Sequence, residues 1–188
     1  MKIAHISDLH ISKTNKYKNI YFLKRILDYV TKEKYDHIVI TGDLVDNSKK
    51  ADFNLLRSIF KEYDILKSSR MTIIIGNHDI FGGIETAEDI VNFPKKCLSI
   101  NYKNKIKEFS YYFKECFESC YFPSNSEVFP FAKVINNILF IGLNSNQKYS
   151  RISNIFASNG KISKKQKILL DDIFKKDVFK NMKKIILI

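Results

Sequence analysis

Apolar positions along this 188-residue chain follow two rhythms. Short, nearly unbroken apolar runs stand at residues 2–7, 37–41, 71–75 and 184–188, and runs of that length rich in isoleucine read as strands. Between the first three lie segments with a longer period. Residues 19–32 carry Ile20, Leu23, Ile26, Leu27 and Val30, and residues 52–66 carry Phe53, Leu56, Ile59, Phe60 and Tyr63. That spacing predicts helices with one buried face. The order β-α-β-α-β predicts parallel strands joined by right-handed crossovers.

Past residue 79 the pattern loosens. Residues 80–102, with Gly82-Gly83 and Pro94, predict a loop with short helical pieces. Residues 104–120 place Ile106, Phe109, Phe113, Cys116 and Phe117 on one face. They predict a helix whose aromatic stripe belongs to the core, or to a cap over a site, rather than to a base-stacking platform. The runs 128–135 and 138–143 flank Asn136-Asn137, two residues that tolerate positive φ, and predict a β-hairpin. A hairpin after a parallel unit implies a mixed or second sheet. Ser163, three residues before Gln166, predicts a capping box that opens a helix through residue 175. No repeat, linker or low-complexity stretch divides the chain, so it reads as a single domain over residues 1–188.

Composition changes this picture little. The net charge is +12, which favours anionic substrates by steering. Its basic residues are mostly scattered lysines, with only Arg25, Arg57, Arg70 and Arg151 as arginines. Arginine does most bidentate phosphate and base recognition, so nucleic acid is a possible but not a favoured partner. No apolar run reaches the ~18 residues of a membrane span, and no secretory leader is visible. Cys97, Cys116 and Cys120 form no CxxC and read as reduced, packed thiols in a cytoplasmic protein.

The chemistry sits where three apolar runs end. Asp8-Leu9-His10, Gly42-Asp43-Leu44-Val45-Asp46 and Gly76-Asn77-His78-Asp79 each follow a strand. Ligands of open α/β sheets gather at the carboxyl ends of strands. Carboxylate, amide and imidazole groups delivered there suit divalent Mn, Fe, Zn, Ni or Mg. Asp8 and His10, two apart, point the same way if the chain is extended. Gly42 permits a tight turn before Asp43, whose two oxygens suit a bridge between ions. Asn77 offers a neutral oxygen. His78 is left for a proton or a phosphoryl oxygen, with Asp79 placed to orient it. Asp46 reads as a loop or supporting group, His5 as a core or supporting residue, and His37 as structural.

These three motifs resemble D-x-H, G-D-x-x-D and G-N-H-D/E of the calcineurin-like metallophosphoesterase superfamily, in residue, order and strand context. The segments 6–10 and 41–46 look most like its class III cyclic-nucleotide phosphodiesterase branch, and Gly160-Lys161-Ile162-Ser163 with Gln166 is a weaker likeness to the same branch. The resemblance covers the chain except about residues 84–121. It implies an α/β fold, a two-sheet α-β-β-α sandwich. It also implies two divalent metal ions: Asp8, His10 and Asp43 at the first, Asp43 and Asn77 at the second. A phosphodiester or phosphomonoester would be hydrolysed by attack of a metal-bound hydroxide, with His78 and Asp79 as the catalytic pair and a small anionic phosphoester as partner. A nuclease and a non-catalytic scaffold are the competing readings.

The sequence departs from that pattern at its end. The family has two further histidine motifs, whereas here no His follows His78 and the last residues lie in an apolar run. The expectation is therefore a C-terminally incomplete sandwich, the N-terminal part of a longer phosphoesterase, with a weak second metal site.

Overall fold

The computed structural model describes residues 1–14, 17–84, 86–125 and 127–188. It is a mixed α/β structure with two three-stranded sheets and, among the described residues, eight helices.

The first half forms as the periodicity predicts. Strands β1 (Ile3–Ile6), β2 (His37–Thr41) and β3 (Met71–Ile74) pair in parallel in that order. The crossovers are α1 (Tyr17–Lys32) and α2 (Lys50–Glu62). Leu23, Leu27 and Val30 of α1, with Phe53, Leu56, Ile59 and Phe60 of α2, join Ile38, Ile40, Met71 and Ile73 in one buried cluster. Burial of that stripe, rather than intrinsic propensity, is what fixes such helices.

The segment after β3 departs from its expected looseness. A short helix α3 (Asn77–Phe81) starts directly at the third polar cluster, and α4 (Ala87–Ser99) is a full helix despite Pro94. Thr86 caps α4: its side chain accepts from Asp89 N–H, and the Asp89 carboxylate accepts from Thr86 N–H. Phe93 and Cys97 anchor the helix in the core. Pro94 lacks an N–H for the Ile90 carbonyl, but cap and anchors outweigh that loss.

The predicted helix over 104–120 is two pieces, α5 (Tyr102–Tyr112) and α6 (Lys114–Phe117), broken at Phe113 (φ −116°, ψ 30°). Phe113 is fully buried, its ring 6.0 Å from Phe53, 6.3 Å from Phe60 and 5.2 Å from Phe109. The aromatic stripe is core. Arg57 of α2 locks this layer through a bidentate pair with Glu115 at 2.9 and 2.7 Å.

The second sheet holds β4 (Phe131–Ile135), β5 (Ile138–Gly142) and β6 (Lys184–Leu187) in that order. The hairpin is present, with Asn136 and Asn137 at φ 50° and 61°. On one face Leu139 and Ile141 pack with Ile173 of α7 (Lys164–Phe174) and Phe179 of α8 (Asp177–Lys180). On the other face β5 and β4 meet the first sheet. Phe140 lies 4.9 Å from the His37 ring, and Lys133 donates to the Met71 carbonyl. The layers therefore run helices, sheet, sheet, helices. Only half of the capping box at Ser163 forms. The Ser163 hydroxyl accepts from Gln166 N–H, but the Gln166 side chain bonds both main-chain groups of Asn144 instead.

Candidate metal centre

The polar clusters converge because two loops touch. His10 N–H donates to the Asp43 carbonyl at 2.9 Å, and Ile11 N–H to the Leu44 carbonyl at 3.1 Å. Asp8, His10 and Asp43 adopt positive φ of 55°, 43° and 49°. This left-handed backbone is uncommon outside glycine, although Asp and His enter it more readily than most residues. Asp8 and His10 thus lie beyond β1 in turned backbone, not in the extended chain that a two-residue period assumed. Such strain persists only where its surroundings over-determine it, and it gathers at functional sites.

Two glycines permit the contact. A Cβ on Gly42 would lie 2.9 Å from Gly76 Cα, and one on Gly76 would lie 2.1 Å from Asp43 N. With both absent, Asp43 Oδ1 accepts from His78 N–H at 2.9 Å. The result brings ligand atoms of His10, Asp43 and His78 within 4.8 Å of one another. The two imidazoles meet edge to face, centroids 4.5 Å apart. Asp8 stands beside this group, more exposed, with Oδ1 3.8 Å from His10 Nε2. Asn77 is half-buried at the start of α3.

A sequence model described as calcineurin-like phosphoesterase matches residues 1–187. The chain belongs to that family. It is also similar to two curated proteins. It is 35% identical over 86 residues to a component of the nuclease SbcCD of Staphylococcus epidermidis, and 31% identical over 81 residues to "Putative phosphoesterase 078R" of Invertebrate iridescent virus 3. Each match covers 42% of this chain and 23% of the relative, so the chain spans about a quarter of either protein's length. Neither relative supports the finer likeness to the class III phosphodiesterase branch.

Calcineurin-like phosphoesterases are metal-dependent, and the donor set here fits a divalent ion by its chemistry: two imidazoles and a carboxylate in half-buried positions. His10 Nδ1 is buried and makes no hydrogen bond, lying 3.3 Å from Asp46 Oδ1 in poor alignment. That one ring nitrogen, unsatisfied by protein, is an atom that an ion can settle.

The supporting contacts differ from those the motif spacing implied. Asp79, expected to orient His78, turns its carboxylate to main-chain N–H groups. It accepts from Val45 N–H at 2.9 Å and Gly76 N–H at 2.8 Å, tying the loops after β2 and β3 together. Burial pushes this carboxyl up to about 7, against the lowering effect of those two N–H groups. The residue against both imidazoles is Asp46, only 2% exposed. Its carbonyl accepts from His78 Nδ1 at 3.1 Å, and its Oδ1 lies 3.5 Å from the same nitrogen. The second Asp of Gly42-Asp43-Leu44-Val45-Asp46 was the available signal; only the turn of that loop shows which way it faces.

Two other expectations resolve. His5 is exposed rather than core, with Nε2 2.8 Å from Thr41 Oγ1 beside the site. His37 is fully buried between the sheets, Nδ1 3.1 Å from the Ser69 carbonyl and Nε2 2.7 Å from Thr72 Oγ1. The cysteines are free, with Cys97 and Cys116 buried. Among the described residues no helix is long and apolar enough to cross a membrane.

Proposed function

We propose that this chain is a metal-dependent phosphoric ester hydrolase acting on a small anionic phosphodiester or phosphomonoester. The convergence of His10, Asp43 and His78 at three successive strand ends carries the reading. Asp8 and Asn77, next to them in the same motifs, would each add an oxygen. Asp43, with two carboxylate oxygens, is the residue able to serve two ions. Divalent ions in such a site supply Lewis acidity and a water of lowered pKa.

The protein's own part is positioning. Asp46 accepts the His78 Nδ1 proton, so the neutral ring presents a lone pair at Nε2, the form that binds a metal. The protonated ring presents N–H there, the form that donates to a phosphoryl or leaving oxygen. Asp79 holds the two loops in register. The charge of +12 draws an anionic substrate inward.

Metal content measured by mass spectrometry, together with hydrolysis of a model diester, a model monoester and single-stranded DNA in Mn²⁺, tests this. Asp43→Asn should lose metal and activity together, and His78→Ala should lower the rate. Hydrolysis that survives Asp43→Asn overturns the proposal; a chain that neither binds metal nor responds to either change is a scaffold. A second reading, a nuclease, draws support from the 35% identity to a relative named as one. DNA cleavage well above diester hydrolysis would select it.

A further inference from the structure

A cleft of about 550 Å³ opens beyond the carboxyl end of β5, between α5 and α7. Its walls are fixed by buried and half-buried hydrogen bonds. The Tyr102 hydroxyl donates to the Asn146 carbonyl at 2.5 Å and accepts from Asn144 Nδ2 at 3.0 Å. The Gln166 side chain holds Asn144 N–H at 2.9 Å and Asn144 C=O at 2.7 Å. Asn146 Nδ2 donates to the Ile75 carbonyl at 2.8 Å, which joins this wall to the strand end that leads into Gly76-Asn77-His78.

The lining combines three chemistries. Half-buried Tyr102 supplies aromatic surface, while Phe129, also in the lining, is almost wholly buried. Lys148, Lys161 and Lys164 stand around the opening, exposed. Among the described residues no Asp or Glu lines the cleft, and none of the three lysines forms a salt bridge. Unneutralised cations beside an aromatic face in a preformed concavity suit a ligand that is both planar and phosphorylated.

We propose that this cleft is a binding subsite for a nucleoside phosphate, with the base against Tyr102 and the phosphate among Lys148, Lys161 and Lys164. Its use as a specificity pocket for the metal centre rests on the phosphoesterase reading; the binding itself does not.

The test is calorimetric titration of the intact chain in EDTA with AMP, adenosine, inorganic phosphate and a short single-stranded oligonucleotide. AMP should bind, with adenosine and phosphate each about tenfold weaker or more. Lys161→Ala/Lys164→Ala should weaken AMP by about tenfold or more with an unchanged thermal unfolding curve, Lys161→Arg/Lys164→Arg should retain it, and Asp43→Asn should not alter it. On titration with AMP, amide NMR shifts should fall at residues 144–148 and 161–166. Failure to bind AMP, phosphate binding as tightly as AMP, an oligonucleotide binding far more tightly than AMP, or shifts confined to Asp8, His10 and Asp43 would overturn the assignment. AMP binding without any ester hydrolysis would keep this subsite and remove the enzymatic reading.

Discussion

A Cβ on Gly76 would lie 2.1 Å from the main-chain nitrogen of Asp43. The φ of Gly76 is an ordinary −100°, so the constraint is steric rather than conformational. The glycine lets the ends of β2 and β3 touch and sets His78 N–H onto Asp43 Oδ1. Gly76→Ala must push the loops apart. It should cost about 1–3 kcal/mol in chemical denaturation and weaken metal binding as well. An alanine variant with unchanged stability and metal affinity would refute this account of the loop contact.

Asp46 should matter to the metal more than its absence from the ligand group suggests. Groups that hold ligating imidazoles in place typically change metal affinity by about 10–100-fold when altered. Asp46→Asn keeps the size of the side chain and removes the charge between His10 and His78. Competition with a chelating dye should show a loss in that range, with the fold intact by circular dichroism.

His37 makes stability depend on pH. Burial, against an opposing hydrogen bond to Ser69, lowers its pKa from 6.5 to about 4. Below pH 6.5 the unfolded chain takes up a proton that the folded chain refuses, so stability is full above 6.5 and falls as pH drops toward 4. The limit of that loss is about 3 kcal/mol. Urea unfolding at pH 7, 6 and 5 measures it, and His37→Gln should flatten the slope over that window.

Lys133 is the polar pin between the sheets. It is 3% exposed, and its Nζ donates to the carbonyls of Ser68 and Cys116, each at 3.1 Å, and to that of Met71. Burial pushes its pKa down to about 8. Lys133→Met preserves the stem but strands three carbonyls, and should cost about 3 kcal/mol. A methionine variant as stable as the parent by thermal and urea unfolding would show that the carbonyls find other donors.

Much of this was legible in one dimension. The parallel β1-α1-β2-α2-β3 unit, the Asn136-Asn137 hairpin and β6 follow from apolar period and turn chemistry, because burial on one face imposes its period on the sequence. The helix α4 was hidden by Pro94, since its cap at Thr86-Asp89 and its anchors Phe93 and Cys97 are separate signals that only packing combines. The break at Phe113 was hidden for a related reason: its ring is shared among Phe53, Phe60 and Phe109, which no spacing along one helix encodes.

The same division holds at the site. The sequence alone determined which groups are present, that they follow three strands, and hence the family, because strand ends of a parallel sheet must lie side by side. Which group faces which was decided by backbone that no periodicity reports. Left-handed turns at Asp8, His10 and Asp43 and the close approach of Gly42 and Gly76 rotate the side chains. They bring His78 into the group with His10 and Asp43, turn Asp79 inward to the loop N–H groups and leave Asp46 against the two imidazoles. A motif fixes the order of groups along the chain. Their direction follows from φ, ψ and steric contact between loops far apart in sequence, and so appears only when the chain is folded.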